Sequence, residues 1–226
     1  MSVPHDDDYI DIHVHGGHPV PGIFILEALM AHEGRYPERT DGAAFTYGIH
    51  PWYLTEDNYV EQLKLVEEIT PGPEIIAIGE AGFDRLRGPS MELQTDVFES
   101  QVIISERLRK PLIIHCVRAW DELLASHKKL RPSMPWMIHG FRGKIRQADQ
   151  LFSKGLWISV WFEYSLRPES SALFSSISGE RIFLETDGAD VDIRDIYKKV
   201  SGDMKIPVGE LKSRLISNYK RFFKID

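Results

Sequence analysis

Short apolar runs alternate with helix-patterned stretches along almost the whole chain, and this alternation limits the possible folds more than any other feature. The runs are Tyr9–His15, Ala43–Tyr47, Glu74–Gly79, Pro111–Ile114, Pro135–Ile138, Leu156–Val160 and Arg181–Leu184. In the first, apolar or aromatic residues at Tyr9, Ile10, Ile12 and Val14 fit a strand covered on both faces. Helices are predicted over Ile23–His32, Glu56–Ile69 (with Thr55 as N-cap), Ser90–Leu108, Ala119–Lys129, Lys144–Ser153, Pro168–Ile177, Ile193–Val200 and Val208–Phe223. Repeated strand–helix units without a long linker argue for a parallel sheet with crossover helices. Seven or eight repeats point to a (β/α)8-type TIM barrel. Only seven strands are clear, since the interval between His15 and Ala43 reads as helix, so the expected barrel is irregular, a single domain over residues 1–226.

Bulk composition narrows the function classes. A 42% hydrophobic share with 27% charged residues leaves ample material for a core. A net charge of −7 argues against a general nucleic-acid coat, which needs a basic footprint. A small nucleic-acid substrate held by metal and a few local cations stays open. The single cysteine, Cys116, excludes an intramolecular disulfide and suits a reducing compartment. Residues 1–8 are polar and acidic without a signal-peptide pattern, and no apolar run reaches the roughly 18 residues of a membrane span. The expectation is a soluble, cytoplasmic monomer without membrane contact.

The strand ends carry the chemistry. Side chains two apart on a strand share a face, so Asp11, His13 and His15 point the same way. Every predicted strand but the sixth runs into a metal-competent side chain: His13 and His15, His50, Glu80, His115, His139, Asp187. In a parallel barrel the C-terminal strand ends share one rim, where such enzymes react their substrates. Imidazoles and carboxylates without thiolates suit divalent first-row metals. The donors outnumber the needs of one tetrahedral ion, and a carboxylate bridging two ions about 3.5–4 Å apart would use them. The reaction that follows is hydrolysis, with metal-activated water attacking phosphorus or carbon.

Six motifs in order, DIHVH (Asp11–His15), GIHPW (Gly48–Trp52), AIGEAGFD (Ala77–Asp84), the Gln94–Leu123 segment containing KPLIIHCVRAWDEL, IHGFRG (Ile138–Gly143) and LETD (Leu184–Asp187), resemble the TatD-type metal-dependent deoxyribonucleases of the amidohydrolase-like barrels. The resemblance implies one metal on His13, His15 and Asp187, a second on His115 and His139, and Glu80 bridging them. It makes Glu80 and Asp187 the catalytic candidates, Asp187 as acid/base beside the attacking water. It implies phosphodiester hydrolysis at DNA ends or on short oligonucleotides, with two divalent ions drawn from Mg, Mn or Zn. Arg118 and His50 are the candidate substrate contacts, His50 having no ligand role in that family. Asp84 and Glu185 are read as groups that orient ligands, and Cys116 as a packing residue. After LETD the chain departs from the family pattern: Gly188–Asp192 is small and acidic, which disfavours long DNA. Two alternatives remain: hydrolysis of a small phosphoester, amide or lactone with the same metals, and a non-catalytic barrel protein.

Overall fold

The computed structural model describes residues 3–225, so the ends of the predicted 1–226 domain lie outside it. The strands are β1 (Tyr9–Val14), β2 (Ile23–Met30), β3 (Ala43–Gly48), β4 (Ile75–Asp84), β5 (Leu112–Val117), β6 (Trp136–Phe141), β7 (Trp157–Val160) and β8 (Ile182–Leu184). The α-helices are α1 (Tyr59–Ile69), α2 (Met91–Leu108), α3 (Trp120–Leu130), α4 (Ile145–Ser153), α5 (Phe162–Leu166), α6 (Ser171–Phe174), α7 (Ile193–Met204) and α8 (Val208–Phe223). The strands form one eight-stranded sheet in chain order. The pairs β1/β2, β3/β4, β4/β5 and β7/β8 are parallel. Parallel strands in chain order with helices between them make the (β/α)8 barrel class.

The expected helix over Ile23–His32 is wrong. The segment is β2, followed by a 3-10 turn at Ala31–Glu33. Leu26, Glu27, Ala28, Leu29 and Met30 are good helix formers, and a mainly apolar run fits a buried helix as well as a buried strand. Burial decides between them: every residue of β2 but Ile23 is buried. Other boundaries move as well: β4, β5 and β6 run on past Gly79, Ile114 and Ile138, so that Glu80, His115 and His139 lie within strands. Asn58, not Thr55, occupies the N-cap position of α1, because Thr55 heads the preceding turn and its carbonyl accepts from the amides of Asn58 and Tyr59. The Pro168–Ile177 helix shortens to a 3-10 turn at Pro168–Ser170 and the single turn of α6. By contrast α2 starts where its sequence says, with the Ser90 hydroxyl accepting from Leu93 N at 3.2 Å.

The described residues fall into two compact units. The first holds residues 28–39 and 45–137, the second the remainder. In the first, Phe83 of β4 packs on Phe98 of α2 with ring centroids 4.6 Å apart, and Phe98 meets Trp136 edge-on at 5.3 Å. Gly82 presses β4 onto β5: a Cβ there would stand 2.0 Å from the His115 carbonyl oxygen, at a φ of +150°. That close approach keeps the ends of β4 and β5 in register. In the second, Phe24 of β2 packs edge-on against Tyr219 of α8 at 5.4 Å, and Trp157 of β7 stacks on Phe183 of β8 at 5.8 Å. Here the end of β8 also lies against β1, with Thr186 N donating to Asp11 Oδ1 at 2.9 Å and Asp187 N to the His13 carbonyl at 3.0 Å.

Candidate metal centre

In the second unit, His13 near the end of β1 and His15 just past it both come to Asp187. Just past β8 the backbone of Asp187 turns into the left-handed region (φ +54°), which aspartate tolerates better than most residues. Asp187 Oδ1 then stands 3.7 Å from His13 Nε2 and 3.5 Å from His15 Nε2. The three ligand atoms all lie within 4.8 Å of one another. A first-row cation held at about 2.1 Å by tetrahedral donors needs them about 3.4 Å apart, so the spacing and chemistry of this trio fit a divalent ion. His13 is fully buried, and its ring lies 4.1 Å from that of His139.

Two carboxylates brace this group from behind. Asp11 accepts from both the amide and the hydroxyl of Thr186, at 2.9 and 2.6 Å. Burial pushes its carboxyl up to about 7, against those hydrogen bonds. Glu185 is fully buried. It accepts from Gly140 N at 2.7 Å and from the Ser159 hydroxyl, and its Oε1 lies 3.8 Å from His139 Nδ1. Burial alone would raise its carboxyl, but His139 and Ser159 hold it below the ordinary range. Glu185 thus grips the backbone and the ring around His139 at once.

In the first unit, Glu80 Oε1 receives two imidazoles, with His115 Nδ1 at 2.8 Å and His50 Nε2 at 3.1 Å. These three form a second donor cluster of the same kind, all buried. The far nitrogen of His115 is 3.2 Å from Asp84 Oδ2, which also accepts the indole N–H of Trp52 at 2.5 Å. Burial would raise the Asp84 carboxyl, but Trp52, the Leu86 amide and His115 hold it below its usual value. His50 is fixed through its other nitrogen, which accepts from Trp52 N at 3.0 Å.

The sequence-derived candidates therefore sort cleanly. His13, His15, Asp187 and His139 belong to the second unit, and Glu80, His50 and His115 to the first. His50, expected to touch substrate, is buried with its Nε2 on Glu80. Arg118 is exposed before α3, with a left-handed backbone (φ +52°) and its carbonyl accepting from Arg85 Nε. Asp84 faces His115 and Glu185 faces His139. The acidic segment after Asp187 is partly spent on structure, since Asp192 caps α7 and pairs with Arg194. Trp52 and Arg87 were not singled out by the sequence reading. The signal for them was the indole directly after His50-Pro51, facing a loop with two arginines.

Comparisons with known proteins identify the family and the fold. A family model described as TatD related DNase matches residues 30–224. The chain is 31% identical over 156 residues to the 3′-5′ ssDNA/RNA exonuclease TatD of Erwinia billingiae, covering 67% of this chain and 59% of that protein. It is 28% identical over 151 residues to the uncharacterized metal-dependent hydrolase YjjV of Escherichia coli, covering 65% of this chain and 58% of that protein. These matches span about three fifths of the relatives' own length. A hydrolase TatD family protein from Entamoeba histolytica has the same fold, with a TM-score of 0.76 at 21% identity over 98% of this chain and 99% of that one.

Proposed function

The chain belongs to the TatD related DNase family, and on that footing we propose that it is a divalent-metal-dependent hydrolase of phosphodiesters, acting on DNA ends or short oligonucleotides. The observation that carries this reading is the trio of His13, His15 and Asp187, drawn from opposite ends of the chain to within ligand spacing of each other. These three would hold one cation, and the donors around Glu80 and His115 would serve a second. Mg, Mn and Zn all suit such oxygen and imidazole sets. A cation bound there withdraws charge from a phosphoryl oxygen and acidifies water. Asp187, with its side chain 28% exposed, would hold the proton released by the attacking water at a carboxylate oxygen. Glu185 and Asp84 keep His139 and His115 oriented, and such partners raise ligand basicity and fix the ring. Arg118 supplies an exposed cation for a phosphate.

The net charge of −7 and the acidic Gly188–Asp192 segment favour short substrates over long duplex. The same two features support the second reading, a small phosphoester, amide or lactone. Among the described residues no helix is long and apolar enough to cross a membrane. The lone Cys116 supports a reducing, cytoplasmic setting. The test is to strip the protein of metal, restore Mg²⁺, Mn²⁺ or Zn²⁺ separately, and offer short single-stranded DNA beside chromogenic phosphoesters and lactones. Oligonucleotide cleavage with at least one ion is expected. Cleavage of none with any ion would overturn the nuclease reading, and turnover of only the small esters would favour the second.

A further inference from the structure

A platform beside the Glu80 cluster is left over once the donors are assigned. Trp52 lies in the 3-10 turn Pro51–Tyr53 that follows His50. It is 38% exposed, and Tyr53 and Leu86 of the same unit are 44% and 60% exposed. The indole is tethered by its edge, because Nε1 donates to Asp84 Oδ2, the oxygen that also faces His115 Nε2. One face of the ring carries the Arg87 guanidinium, 3.8 Å from the centroid. The loop that presents Arg87 is held rigidly. Asp84 Oδ1 accepts from the amides of Leu86 and Arg87 at 2.7 and 3.1 Å. Gln94 donates to the carbonyls of Asp84 and Pro89. Gly88, at φ +96°, lies so close to the turn that a Cβ would stand 2.5 Å from the Pro51 carbonyl oxygen.

An indole serving the core alone would bury both faces. Here the edge is anchored to the carboxylate behind a candidate ligand, while one face carries the exposed Arg87 guanidinium. Flat aromatic faces and arginines are what unpaired bases and their phosphates bind. A small ester has no use for such a step. We propose that Trp52 and Arg87 form a nucleobase-stacking step: an unpaired base takes the indole face, and Arg87 turns aside to the adjoining phosphate. This rests on the phosphodiesterase reading above and narrows the substrate to single strands that bear bases.

Binding is read by fluorescence anisotropy of the metal-free full chain with a labelled short oligothymidylate and with an abasic strand of equal length, so that neither is cut. The wild type should bind the base-bearing strand at least about tenfold more tightly. Trp52→Ala should bring that ratio to within about twofold of unity, and Trp52→Phe, which keeps a ring, should retain part of it. Arg87→Ala should weaken both strands alike and lower the salt slope by about one. A wild type that does not discriminate, or a Trp52→Ala and Trp52→Phe pair that both keep the full ratio, overturns the stacking step. Metal-loaded wild type is assayed in parallel on bis(p-nitrophenyl) phosphate, a diester without bases. Discrimination without any hydrolysis removes the hydrolase and keeps the step, whereas hydrolysis without discrimination does the reverse.

Discussion

Single residues set how firmly the donors are held, and two of them allow direct checks. Glu185 holds Gly140 N and Ser159 while its carboxylate faces His139. Glu185→Gln keeps the length but removes the charge that orients the ring, and should weaken metal binding by about 10–100-fold with the fold retained. Calorimetric metal titration with circular dichroism as a control measures this. Cys116 is the opposite case, a thiol with no part in the site. Burial pushes it up to about 12, so at pH 8 the thiolate is about 10⁻⁴ of the total, against roughly a quarter for an ordinary thiol. The sign follows: alkylation should be far slower than for glutathione at pH 8 and should rise with pH up to about 12. Fast modification of the native protein at pH 8 would show that the half-buried thiol is not raised in this way. Both residues sit in quoted motifs, yet only Cys116 was assignable from its neighbours, an apolar strand. The partners of Glu185 come from positions 139, 140 and 159, which no local pattern connects.

At the scale of elements, the strands with polar ends and the capped helices were legible, and β2 was not. Ser90 caps α2 because a hydroxyl before a helix satisfies an amide within three residues, a purely local fact. β2 depends on what covers it, since its residues favour a helix in isolation and become a strand only when both faces are enclosed. Phe24→Ala tests this enclosure. The ring is fully buried and meets Tyr219 edge-on, so its loss should cost about 3–5 kcal/mol in urea unfolding. A cost below about 1 kcal/mol would mean that the face is open.

For the whole molecule, metal and stability should be linked. A cation that binds the folded chain and not the unfolded one adds about 2.7 kcal/mol at a hundredfold excess over its dissociation constant. In a chain of this size that is about 5–10 °C in Tm. Chelation should therefore lower the thermal midpoint by that amount, and His13→Ala should reduce the difference between loaded and chelated protein. A midpoint indifferent to chelator in the wild type would argue against a resident ion. What the sequence by itself determined is the barrel class, from strand–helix alternation, and a set of candidate donors, from polar residues near strand ends. Both are written in residues close together along the chain. The grouping of His13, His15 and Asp187 was already implied by the family resemblance, while the partners around the donors were decided by tertiary structure. His50 was set against Glu80, Glu185 against His139, and Trp52 edge-on to Asp84. Those outcomes depend on strand pairing and burial between segments far apart in the chain, and no window of sequence contains them.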